Sequence, residues 1–128
     1  MTGISRKGTP VRVLIVEDEY LIAVVAREAL EEAGCEITGV AGAVTKALNM
    51  LAERACDAAL LDANLNGESA EPVAAALRRR GIPFLVASGY GTSHRPGALA
   101  DAPYLSKPYR EADLVKAIFA LSASRGAA

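Results

Sequence analysis

Apolar positions along this chain fall into two kinds of run. Val13 to Val16 ("VLIV"), Ala58 to Leu61 ("AALL") and Phe84 to Ala87 ("FLVA") are short and wholly apolar. Continuous rather than alternating apolar character suits strands buried on both faces, as in a parallel sheet. Cys35 to Ala41 ("CEITGVA") and Pro103 to Ser106 ("PYLS") read as weaker strands, and Pro103 points to an edge position. Between these runs the period becomes helical. Ile22, Val25, Ala26, Ala29, Leu30 and Ala33 form one stripe, stopped by Gly34. Val44, Ala47, Leu48 and Leu51 form a second. Ala70, Val73, Ala74 and Leu77 form a third, with Ser69 as N-cap, Pro72 in the first turn and Gly81 at the end. Leu114, Val115, Ile118 and Leu121 form the last.

Strands and helices therefore alternate, which implies an open α/β sheet covered by helices on both faces. One connection breaks the rhythm. Gly89 to Ala102 ("GYGTSHRPGALADA") holds Pro96 and three glycines, so at most a short helix is expected, around Gly97 to Asp101. This segment is expected to be the most mobile. Residues 1–10 and 123–128 are expected to be tails around a domain spanning 11–122.

In an open α/β sheet, ligands bind beyond the carboxyl ends of the strands. Here the first strand ends in Glu17 and Asp18, the third in Asp62, the fourth in Ser88, and the last in Ser106 and Lys107. Three carboxylates brought together repel, and two unit charges ~4 Å apart cost about 4 kcal/mol at an effective dielectric near 20. A divalent cation removes that cost, and hard oxygen ligands suit Mg2+. Asp62 is then placed as a carboxylate nucleophile toward a phosphoryl group, with Lys107 neutralising the transferred oxygens and Ser88 donating a hydrogen bond. The bland alternative is a solvated acidic tip. It does not explain why the fifth strand ends in an ammonium.

Composition narrows the classes. The chain has 128 residues, a net charge of −1 and two cysteines. One domain is expected. Neither a nucleic-acid-binding stripe nor a disordered acidic tail is present. Arg78-Arg79-Arg80 reads as the cationic last turn of a helix. Cys35 and Cys56 form no C-x-x-C pair and suit a reducing cytoplasm. No apolar stretch is long enough to span a bilayer.

Four pieces in this order, "LIVEDE", "LLDANLNG", "FLVASGY" and "YLSKPY", resemble a response regulator receiver domain of the CheY-like family, over about Val11 to Leu121. The resemblance implies a doubly wound (βα)5 fold, with a five-stranded parallel sheet of order 2-1-3-4-5 and here a short or mobile fourth helix. It makes Asp62 the phosphoacceptor. Asp18, Asp62 and the backbone carbonyl of Asn64 become ligands of Mg2+, and Glu17 acts on the metal through water. Lys107 and Ser88 become the phosphoryl-binding pair and Tyr104 the switch aromatic. Two departures stand out: Ser88 replaces the usual threonine, and Asn66 replaces the usual proline after the acceptor, where Asn66-Gly67 still makes a turn. "PFLVASGY" is similar to the signature of FATGUY-type receivers, which work with HWE-type histidine kinases.

The expected function is a cytoplasmic, single-domain phosphorelay switch. It accepts a phosphoryl group from a histidine kinase or phosphotransfer protein and changes contacts with an output protein. It is not a turnover enzyme and contacts neither nucleic acid nor membrane. The alternatives are a phosphate sink or relay, a pseudo-receiver that binds partners without phosphorylation, and an aspartyl-nucleophile phosphohydrolase. The hydrolase would want an aspartate two residues after the nucleophile, where this chain has Asn64.

Overall fold

The computed structural model describes residues 9–89 and 97–127. Its elements are β1 (Arg12–Val16), α1 (Tyr20–Glu32), β2 (Glu36–Ala41), α2 (Val44–Glu53), β3 (Ala58–Asp62), β4 (Asn64–Leu65), β5 (Glu68–Ser69), α3 (Glu71–Arg79), β6 (Phe84–Ser88), a 3-10 turn (Gly97–Leu99), β7 (Tyr104–Ser106) and α4 (Glu111–Ala127). Five strands form one parallel sheet of order β2-β1-β3-β6-β7. β4 and β5 pair antiparallel in a separate two-residue ribbon. Setting the ribbon aside, this is the doubly wound order expected from the sequence.

The wholly apolar runs explain the layering. Leu14 and Val16 of β1, Ala59 and Leu61 of β3, and Phe84 and Val86 of β6 face one core, closed by α2 and α3. Val13 and Ile15, Ala58 and Leu60, and Leu85 and Ala87 face the other, closed by α1 and α4 through Ala23, Ala26, Leu30, Leu114 and Ile118. Successive strand residues point to opposite faces, so a strand between two cores must be apolar throughout. Each fully buried leucine or isoleucine contributes roughly 1.5–3 kcal/mol.

The α1 stripe differs from expectation. Ala23, Ala26, Ala29 and Leu30 are the buried positions, while Val25 is 43 % exposed and Leu21 74 %. The segment Tyr20–Ala26 is apolar nearly all round. Periodicity could not select its inner face, and the alanines, being small, let the helix settle closest to the sheet. In α3 the helix begins one residue later than Ser69 predicted, behind Ala70, and Ser69 Oγ accepts the Glu71 amide at 3.2 Å. α4 runs to Ala127, so residues 123–127, expected as a tail, continue that helix. Residues 1–8 of the expected N-terminal tail lie outside the described residues. Both cysteines are buried and neither is in a disulfide.

The segment expected as a broken fourth helix falls partly among the described residues. Residues 90–96 lie outside the described residues, and with them the expectation of mobility there. The rest forms the expected short turn, anchored to α3. Arg78 Nε donates to the carbonyl of Ala98 and one of its terminal nitrogens to that of Ala100, each at 2.8 Å. The same guanidinium lies 5.0 Å from the Phe84 ring centroid, and Leu99 is buried beneath. Arg78→Ala should lower unfolding stability by about 1 kcal/mol in a urea titration. It should also speed amide exchange at residues 98–101. Arg78→Lys should recover little of either, because a single ammonium nitrogen cannot reproduce the rigid planar spread of two guanidinium nitrogens.

Candidate functional site

The sheet brings the polar strand ends together. Glu17 and Asp18 follow β1, Asp62 closes β3, Ser88 closes β6 and Lys107 follows β7. β1 and β6 both pair with β3, so Asp62 sits at the centre of this edge. Glu17, Asp18 and Asp62 each present a carboxylate oxygen, all within 4.8 Å of one another. Glu17, Asp62 and Ser88 are the buried polar residues among those described.

Lys107 Nζ is the counter-charge. It lies 2.7 Å from Glu17 Oε1 and 3.2 Å from Asp62 Oδ2. The other oxygens are met by backbone amides. Glu17 Oε2 accepts from Glu19 at 3.1 Å, Asp62 Oδ1 from Asn64 at 3.2 Å, and Asp18 Oδ2 from Asn66 at 3.0 Å.

The last of these contacts depends on the β4–β5 ribbon. Asn66 and Gly67 both have positive φ, 53° and 84°, as a two-residue hairpin turn requires. Asn64 Oδ1 further accepts the Gly67 amide at 2.7 Å. A proline at 66 could neither take that φ nor donate to Asp18, so the departure noted in the sequence has a structural use that sequence reading missed. Asn64 stands beside the acids through its amide bond to Asp62.

The charges perturb one another. Burial and the neighbouring Glu17 push the Asp62 carboxyl up to about 7, against the pull of the Asn64 amide and Lys107. Burial would likewise raise Asp18, but its contact with the Asp62 carboxyl and the amide bonds, Asn66 included, outweigh it and hold Asp18 below the ordinary value. Burial would lower Lys107, but its bond to Glu17 and the charge of Asp62 outweigh that and raise it. Three hard oxygen donors around one deficit of positive charge fit a divalent cation.

Ser88 and Tyr104 also meet. The Ser88 carbonyl accepts the Lys107 amide at 2.9 Å and the Tyr104 hydroxyl at 3.1 Å. The Tyr104 ring is half-buried against the α2–α3 core. Glu17, Asp18, Asp62, Ser88, Tyr104 and Lys107 are thus all at this edge or bonded to it.

A doubly wound α/β protein with a carboxylate cluster and one lysine at the carboxyl edge of its sheet is the class defined so far. The chain belongs to the response regulator receiver domain family, whose model matches residues 13–119. It is 32 % identical over 115 residues to the transcriptional regulatory protein PdtaR of Mycobacterium tuberculosis, covering 87 % of this chain and 56 % of that one. This chain thus spans about half the length of the curated relatives it matches. The solution structure of SdrG from Sphingomonas melonis Fr1 superposes with a TM-score of 0.76 at 36 % identity, over 95 % of this chain and 98 % of SdrG. A BeF3-activated conformation of SdrG from Pseudomonas melonis Fr1 gives 0.74 at 38 %, over 87 % and 95 %.

The sign of the Asp62 shift generates a prediction. Without metal, between its ordinary 3.8 and about 7 the folded chain keeps a proton that the unfolded chain releases. Stability from this group therefore falls as pH rises through that window. Asp62→Asn should raise metal-free stability at pH 8 by about 1–2 kcal/mol and flatten the pH profile. Thermal melts in chelator from pH 5 to 8 check this. A divalent cation should stabilise the wild type and leave Asp62→Asn nearly unmoved.

Proposed function

We propose that this chain is a phosphoryl-accepting switch in a two-component relay, with Asp62 as acceptor. The observation that carries it is the position of Asp62: buried, at the centre of the sheet edge, between two acids and within 3.2 Å of Lys107. The family membership supports it, and the activated SdrG conformation is a precedent in a relative.

An oxygen of Asp62 attacks the phosphorus of a phosphohistidine. The P–O bond forms as the P–N bond breaks, and the imidazole leaves as a neutral ring after gaining a proton. Asp18, Asp62 and the Asn64 carbonyl would hold Mg2+, with Glu17 acting through water, and the bound cation would supply charge neutralisation at the phosphoryl oxygens. Asp62 must be ionised to attack, so displacing its proton with cation raises the reactive fraction. The product bears about two negative charges where the carboxylate bore one. Lys107 moves to those oxygens and the Ser88 hydroxyl donates to one of them. Because the Ser88 carbonyl holds the Tyr104 hydroxyl, movement at Ser88 is passed to the β7 surface.

The donor surface lies beside the acids. Leu21 and Val25 of α1 are exposed, and with Ile22, Glu19, Lys107, Pro108 and Tyr109 they line an open groove of about 490 Å3. A helix of a histidine kinase, HWE-type by the resemblance of "PFLVASGY", or of a phosphotransfer protein fits this groove. An output protein then reads the β7 side. No helix among the described residues is long and apolar enough to cross a membrane, and we place the chain in the cytoplasm. It acts as a switch that assists its own phosphorylation and dephosphorylation rather than as a turnover enzyme.

Incubation with acetyl phosphate and Mg2+, followed by intact mass, tests the reading. One phosphoryl adduct is expected on the wild type and none on Asp62→Asn. Lys107→Ala should bind the metal yet accumulate adduct at least tenfold more slowly, as for loss of a group that meets developing charge. Rapid release of phosphate without adduct would favour the phosphohydrolase. No modification under any condition would favour the pseudo-receiver.

A further inference from the structure

Tyr109 leads from β7 toward α4, two residues beyond Lys107. Its ring packs on the α1–α4 core. Its hydroxyl oxygen is fully buried and has no hydrogen-bond partner among the described residues. Native proteins seldom leave a buried polar atom unpaired, and each case calls for a reason. Phenylalanine would fill the same space without one.

The hydroxyl lies within electrostatic reach of the charged groups at the sheet edge. Burial first, then the charges of Glu17 and Asp62 against that of Lys107, push its pKa up to about 12. It is therefore a proton donor throughout the working pH range. Of the three charges, Glu17 acts on it most strongly. Yet Glu17 is already satisfied in the structure, through Lys107 at 2.7 Å on one oxygen and the Glu19 amide at 3.1 Å on the other. The lysine is shared with Asp62. An anion attached to Asp62 competes for that lysine, and Glu17, 4 % exposed, would then be left with the Glu19 amide and a water on the metal, one donor short of its resting set.

We propose that Tyr109 is a positioning residue whose hydroxyl donates to Glu17 when Lys107 is drawn to a phosphoryl group on Asp62. The buried orphan atom is then the hydrogen-bond donor of the other state. It stabilises the phosphorylated form and contributes little to the resting one. This rests on the phosphoacceptor reading above.

The probe is Mg2+ with beryllofluoride, a phosphoryl mimic, applied to wild type and Tyr109→Phe. Thermal melts in chelator report the resting form, and titration of the mimic reports the other. The expected result is an unchanged or raised melting temperature for Tyr109→Phe in chelator, with roughly tenfold weaker affinity for the mimic, as for loss of a hydrogen bond to a charged group. Equal affinity in the two proteins overturns the proposal. If Tyr109→Phe is instead destabilised in chelator, the wild-type hydroxyl proton decides by NMR. A signal protected from exchange only with the mimic supports the proposal, and one protected already in chelator overturns it. A wild type that ignores the mimic altogether removes the phosphoacceptor reading itself, and this inference with it.

Discussion

The structure depends on a repulsion that it does not relieve internally. Glu17, Asp18 and Asp62 are held close by strand ends they cannot leave, because β1 and β3 are locked in register between two apolar layers. Lys107 and a few backbone amides offset only part of the deficit. Burial first, and the charge of Glu17 second, keep the Asp62 carboxyl raised. A site left short of positive charge suits a cation. Chemistry here follows from the packing of the sheet: apolar burial supplies the free energy that keeps like charges together.

The same edge links the site to the surface. The Ser88 carbonyl is bonded at once by the Lys107 amide and the Tyr104 hydroxyl. The lysine that meets the acids and the half-buried aromatic of β7 therefore hang on one peptide group. Nearby, Arg78 ties the 3-10 turn to α3 through two carbonyls, so the turn has a defined seat. Only a small difference in contact energy between two arrangements is needed to shift such an equilibrium.

Much of this was legible because each feature has a local cause. Val13 to Val16 could be assigned to a doubly buried strand from four consecutive apolar residues. Gly34 and Gly81 marked helix ends, and both adopt positive φ. Asp62 and Lys107 could be aimed at one edge because every strand in a parallel sheet ends on the same side. Other features had no local cause. Nearly every residue from Tyr20 to Ala26 is apolar, so which row of α1 faced the sheet depended on how closely the helix could approach. The Asn66 amide reaches an acid 48 residues away. The Tyr109 hydroxyl is an orphan only because of what packs around it.

What the sequence determined by itself was the alternation of elements, the two-faced burial of the sheet and the identity of the groups at its carboxyl edge. Period and strand direction are properties of short stretches of chain, and these lie within them. Tertiary structure decided the pairings: which carboxylate shares the lysine, which amide holds Asp18, which row of α1 is left bare and which hydroxyl is left without a partner. Those outcomes turn on distances of a few ångströms between segments remote in the chain, and only packing sets such distances.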